Sequence, residues 1–420
     1  VRILHVVHQF PPDWVGGTEV YTLNLAKGQA RLGHQVAVFH RAAGTQGLVH
    51  AEWEGVMVYR AHAGRMTPWS VFQATFGHRG LRHAFSEALA DFRPELVHLQ
   101  HLMGLPVFIA MQAKRQCIPL ALTLHDYWFI CSVSQLVWPD AQACQGKALG
   151  LNCARCVLSA RLASSGTWFL RPLAAPILQI RDTLVRRAAL QADSLIAPSR
   201  FLIGQYVRAG FPAERFVYLE HGIDAERIQR YPHHPFADGR LRFTYLGSLA
   251  WQKGVHILVE AFRDMPPEKA ALRIYGDPTV FPSYVAHLRH SANPANTSFE
   301  GTVPNTEVGR VLADTDVLVV PSLWYENSPV VIQEAFAAGV PVVASRIGAL
   351  AEKIQHGVNG LLCTPAKVEA WRATLERLMT EPSLLKHLQA NVHPPVMMEE
   401  HVSQLESLYL QLTDDSKPGL

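Results

Sequence analysis

Glu326 and Glu334 stand eight positions apart in the stretch PSLWYENSPVVIQEAFAAGVPVV, residues 321–343. Between them lies Ser328-Pro329, which predicts a helix start: a serine side chain caps free backbone N–H groups, and proline is tolerated in a first helical turn. The run VVIQEAFAA then reads as a helix within 328–338, stopped by Gly339 and followed by a short apolar strand. Glu334 falls just inside that helix, and Glu326 falls in the loop that enters it. Two carboxylates at one helix start can serve one cleft. The alternative is a surface helix carrying two solvated acids.

Four of the six cysteines also fall close together: Cys131, Cys144, Cys153 and Cys156. The last two form a Cys-x-x-Cys pair, a spacing that lets two thiolates bind one metal. The segment around them has few apolar anchors, so a bound structural zinc would order it. An iron–sulfur cluster, disulfides in an exported protein, and free thiols are the alternatives. Cys117 and Cys363 lie apart from this group, each beside its own apolar run. Asp314-Thr315-Asp316 has an acid-x-acid pattern seen in metal sites, but it abuts the run VLVVPS, so Asp316 is expected to position a strand.

These residues need elements to hold them. The run RILHVVHQF is of the kind found in buried parallel strands. A loop with Gly16-Gly17, a helix ending near Gly33, and the strand HQVAVFH follow it. The runs ELVHLQ, PLALTLHD and SLIAPS continue the alternation, and a second such unit opens at LRFTYLGSLAWQKGVHILVEAF. Strands alternating with helices predict an α/β class with doubly wound sheets. The 420 residues are enough for two domains, each with its own core. The expected boundaries are 1–222 with a Cys-rich insert at about 127–160, completed by a helix within 395–420, and 223–394 for the second domain. Ligands of doubly wound sheets bind at the C-terminal strand ends, and helix N-termini there favour phosphate.

The net charge of +3 gives no sign of a nucleic-acid partner, and no uncharged apolar run is long enough to span a bilayer. The opening residues lack the layout of a signal peptide, so the cytoplasm is the expected compartment. Residues 155–215 hold nine arginines against three acids, with Trp168, Phe169, Leu170 and Leu173 nearby. Such a stretch suits peripheral contact with an anionic membrane, here the inner face, while an amphipathic helix pair is the plainer reading. His233-His234 falls in a polar linker, and His98 and His101 are expected to serve local packing.

The motifs GGTEVYTLNLAKGQARLGHQVAVF, LTLHDYWFIC, APSRF, EHGID, YLGSLAWQKGVHILVEAF, RIYGD, FEGTVP, DVLVVPSLWYENSPVVIQEAFAAGVPVVAS and GVNGLL stand in order along nearly the whole chain. In that order the sequence resembles the family-four retaining glycosyltransferases of the GT-B fold, which take a sugar from a nucleotide donor. The resemblance implies two Rossmann-like domains facing a cleft, with a C-terminal helix returning to the first. It implies a nucleoside-diphosphate sugar as donor, a glycan, lipid-linked or small-molecule acceptor, and no catalytic metal.

The same resemblance assigns roles. Glu326 matches the acid near the transferred sugar's hydroxyls, and Glu334 the acid that holds the nucleotide's ribose. An ionised carboxylate accepts two hydrogen bonds and a vicinal diol supplies them. Asn327 and Ser328 lie where backbone N–H groups open toward the diphosphate. Lys253 matches the lysine that stabilises the leaving phosphates, and His125 a residue near the donor sugar. Gly16 and Gly17 would let backbone approach a ligand, or simply form a loop-to-helix turn. Ser248 departs from the pattern, because the family has an arginine there. That departure leaves a donor-binding scaffold without turnover as one competing reading, and a same-fold epimerase or phosphorylase is the other.

Overall fold

The computed structural model describes residues 1–14, 16–138, 143–144, 146–161, 169–224, 226–229, 231–232 and 239–415. Trp168, His233 and His234 lie outside the described residues. The chain divides into two compact units. The first takes in Val1–Gly222 and the helix Met398–Asp415, and the second Ile223–Met397.

In the first unit the strands are β1 (Arg2–Val7), β2 (Gln35–Ala42), β3 (Leu48–Trp53), β4 (Val56–His62), β5 (Leu96–Leu99), β6 (Leu120–Thr123), β7 (Ser194–Ala197) and β8 (Phe216–Tyr218). They lie in the order β3-β4-β2-β1-β5-β6-β7-β8. Every pair is parallel except β3 with β4. The central strands read as continuous apolar runs because helices cover both faces, and every residue of β5, β6 and β7 is buried. Winding reverses between β1 and β5, which opens a crevice at their C-terminal ends.

Helix Met398–Asp415 completes this unit. Its Met398, Val402, Leu405 and Tyr409 pack on Ile3, Leu25, Leu96 and Ile196. Each such fully buried apolar side chain contributes roughly 1.5–3 kcal/mol. Polar contacts fix its register: His401 Nε2 lies 2.7 Å from Tyr21 Oη, and Tyr409 Oη lies 2.6 Å from His98 Nδ1.

The second unit has β9 (Leu241–Leu246), β10 (Ala270–Tyr275), β11 (Thr297–Gly301), β12 (Val317–Val320), β13 (Val342–Ser345) and β14 (Gly360–Cys363). Their order is β11-β10-β9-β12-β13-β14, all parallel, with the winding reversal between β9 and β12. Phe243, Leu258, Phe262, Trp371 and Leu375 belong to one core cluster, and Ile228, Leu312, Ile332 and Leu350 to another. Asp316 clamps the two switch strands together. Its carboxylate accepts from the Arg242 backbone N–H at 2.8 Å and from the Arg242 Nε and Nη2 at 3.0 Å each. The acid-x-acid pattern at 314–316 is thus occupied by a strand-to-strand contact.

Candidate active site

In the second unit the loops that leave β9 and β12 meet. Gly254, at φ +71°, ends the turn after β9, and a Cβ there would stand 2.0 Å from the Pro321 carbonyl oxygen. Only glycine permits that approach. Leu323 N–H donates to the Gln252 carbonyl at 2.9 Å and locks the contact.

This docking brings Lys253 to Glu326, with Nζ 2.7 Å from Oε1. Ser322 Oγ at 2.7 Å and Trp324 Nε1 at 2.8 Å donate to the same oxygen. Lys253 Nζ also lies 5.2 Å from the centre of the Trp324 ring. Glu326 is buried, so its charge is held by these three donors rather than by water.

The helix after β12 runs Val330–Ala337, shorter than the sequence suggests. Pro329 takes the N-cap position and no side chain caps the helix, which corrects the expected serine cap. The Ser328 hydroxyl is buried and finds no partner among the described residues. Asn327 sits beside it on the same loop, half-buried. The first-turn N–H groups therefore lack a side-chain acceptor, which favours an anion there.

Glu334, one turn further on, is buried and paired with Arg227 Nη2. Arg227 Nη1 donates to the Asn305 carbonyl at 2.8 Å, so the guanidinium ties the Glu334 helix to the turn at Asn305. Sequence reading missed Arg227. It stands 107 positions from Glu334, in the residues after EHGID, and its only sequence signal is an arginine following that motif. Ser248, in the loop after β9, is exposed, and its carbonyl accepts from Tyr245 Oη at 2.8 Å.

In the first unit His125 follows β6, with Nε2 2.8 Å from Gln100 Oε1. Its ring stacks on His221, centroids 5.0 Å apart, and meets Tyr21 edge-on at 5.1 Å. Burial first, and then the neighbouring His101, drives His125 down to about 3, so the ring is neutral at neutral pH. His101 Nε2 lies 3.2 Å from Asp126 Oδ2, and His98 Nε2 lies 2.8 Å from Thr123 Oγ1.

Gly16 and Gly17 open the helix Gly17–Arg31, again without a side-chain cap. A Cβ on Gly16 would meet the carboxylate of Glu19 at 2.6 Å, while one on Gly17 would meet nothing. Glu19 is buried, with Oε1 3.2 Å from His8 Nε2, and burial raises its pKa.

Cys131, Cys144, Cys153 and Cys156 line one small cavity. None of the four forms a disulfide, and neither do Cys117 and Cys363. Burial, then Asp182 and the neighbouring cysteines, push the Cys153 thiol up to about 12. Among the described residues no three His, Cys, Asp or Glu side chains are already arranged to hold a metal ion.

Comparison with known proteins adds to this geometry. A family model described as Glycosyltransferase Family 4 matches residues 15–227, and one described as Glycosyl transferases group 1 matches residues 229–393. Glycogen synthase of Mycobacterium tuberculosis is 26% identical over 409 residues, covering 91% of this chain and 87% of the relative. Sucrose-phosphate synthase from Thermosynechococcus elongatus superposes with a TM-score of 0.72 at 20% identity, over 99% of each chain. Anabaena HepE, solved in complex with UDP and glucose, superposes with a TM-score of 0.68 at 19% identity, over 97% of this chain and 99% of that one. These neighbours share the GT-B fold, and since the first family model alone spans more than half of the sequence, the chain belongs to family 4 of the glycosyltransferases and is itself a glycosyltransferase.

Proposed function

We propose that the protein transfers a sugar, with retention of anomeric configuration, from a nucleoside-diphosphate sugar to a glycan, lipid-linked or small-molecule acceptor. The observation that carries the reading is the uncapped helix start at Val330, flanked by two carboxylates that are each held by a cation: Glu326 by Lys253 and Glu334 by Arg227. In this reading the helix N–H groups and the buried Ser328 hydroxyl receive the diphosphate. Lys253 neutralises charge on the leaving group as the glycosidic bond breaks, and the bridging phosphate oxygen departs with the nucleotide. Glu334 accepts from the ribose diol and Glu326 from the sugar. Arg227 is committed to Glu334 and to the Asn305 carbonyl, so it sets the ribose carboxylate rather than the phosphates. Ser248, exposed where the family has arginine, offers one hydroxyl to the phosphates. The UDP held by HepE supports a nucleotide donor of this type.

A thermal-shift panel of nucleoside-diphosphate sugars tests the reading, followed by transfer and hydrolysis assays with the best ligand. A donor raises the melting temperature by mass action and is turned over. No stabilisation by any member overturns the donor reading. Binding without turnover returns the scaffold, and conversion of the sugar without transfer returns the epimerase.

The lipid-linked acceptor draws support from a separate observation. On helix Arg171–Ala189 the side chains Leu173, Ile177 and Ile180 are exposed on one face, with Phe169 exposed just before it and Arg186 and Arg187 exposed near its end. An apolar stripe with basic residues suits an anionic membrane surface. Ile177→Glu is expected to lower co-sedimentation with anionic vesicles and leave soluble-donor binding unchanged; equal sedimentation of both proteins overturns the membrane reading.

A further inference from the structure

We propose that Cys131, Cys144, Cys153 and Cys156 bind one structural Zn²⁺. Their sulfurs come from three separate places in the chain. Cys131 ends the turn after β6, with its N–H donating to the Tyr127 carbonyl at 2.7 Å. Cys144 follows a bridge between Val137 and Ala143, and its N–H donates to the Leu136 carbonyl at 2.8 Å. Cys153 and Cys156 sit on helix Leu151–Arg161, three residues apart and so on one face. Convergence of all four on one cavity is not what scattered free thiols would give.

The cavity decides the ligand class. It is small, about 10 Å³, a space that suits a single ion. Its wall is otherwise Ser132, Val133, Val137 and Asn152, which adds no carboxylate or imidazole. Four sulfurs without a harder ligand select zinc, close a tetrahedral sphere and leave no position open for catalysis. The Gly146 N–H points to Cys144 Sγ at 3.4 Å, a contact that steadies a thiolate.

The segment also needs a staple. Among the described residues its small apolar cluster holds Ala154, Ala175 and Leu178, with Phe72, Cys153, Val157 and Ala174 packed around them. Among the described residues the four side chains are not yet arranged around an ion, so binding couples to ordering: each thiol gives its proton to solvent as its sulfur ligates.

The test is elemental analysis of the full chain purified without added metal. About one zinc per chain is expected. Cys144→Ser and Cys153→Ser lose it, and Cys117→Ser keeps it. Should the serine variants fail to fold, the wild-type protein still decides. Titration with a mercurial thiol reagent releases zinc, read by a chromogenic indicator, in step with modification of these thiols. Cobalt exchanged for zinc gives thiolate-to-metal charge-transfer absorption. Metal-free wild-type protein, iron with inorganic sulfide, disulfides among the four cysteines, or zinc retained in both variants overturns the site.

Discussion

Glu326 receives Lys253, Ser322 and Trp324 on one oxygen, Oε1, so its second oxygen takes none of these bonds. The lysine that would meet the phosphates is thus already beside the acid that would meet the sugar. Lys253→Ala is expected to lower turnover on the order of 10²-fold or more, the usual cost of removing a charge-stabilising donor. The fold should persist, which circular dichroism checks alongside the rate. Glu334→Gln loses a charge-assisted acceptor and should weaken donor binding by about 1–3 kcal/mol in a calorimetric titration. Arg227→Ala should raise the donor KM with little change in kcat, and Arg227→Lys should recover part of the loss. Unchanged KM in Arg227→Ala would place that arginine outside donor binding.

The elements were legible where their pattern is local. The apolar runs of β1, β6 and β12 predict strands directly, since buried parallel strands carry no polar face. The helix around Glu334 was legible too, but not its start. Ser328-Pro329 has the composition of a cap, yet the loop holds Ser328 clear of the first-turn N–H groups and leaves its hydroxyl unpartnered among the described residues. The antiparallel strand β3 escaped notice because its residues are mostly exposed and do not alternate cleanly. The pairing of Arg227 with Glu334 could not be read at all, since it depends on packing between distant segments. Gly254 shows the opposite case, a residue inside a recognised motif whose reason appears only in the fold. Gly254→Ala forces a Cβ against the Pro321 carbonyl and a left-handed backbone, so it should cost on the order of 1–3 kcal/mol. Urea unfolding measures that loss, and turnover should fall with it because the same loop carries Lys253.

Across the whole molecule, buried imidazoles set the response to acid. Burial lowers His5, His40 and His401 to about 4 and His125 to about 3. The unfolded chain protonates such rings near pH 6.5, so between there and about pH 4 the unfolded state holds more protons. Stability contributed by these neutral rings is therefore full above about pH 6.5 and is lost as pH falls toward 4. Each tenfold drop in a ring's proton affinity on folding is worth roughly 1.4 kcal/mol. These four belong to the first unit, against His256 lowered to about 4 in the second, so the first unit should melt first on acidification. Urea midpoints at pH 7, 6 and 5, read by hydrogen exchange in each unit, test this. A midpoint unchanged across that range would show the rings already charged in the native state.

The helix Met398–Asp415 carries a consequence for biosynthesis. Tyr21 and its partner His401 are 380 positions apart, and Tyr409 closes over His98 from a similar distance. A ribosome therefore delivers the central strands of the first unit long before the helix that covers them. All of Ile223–Met397 emerges in between, with cores of its own. The later-numbered unit can finish folding while the earlier one still waits with Ile3, Leu25 and Leu96 uncovered, so during synthesis it is the first unit that chaperones and proteases meet unfinished.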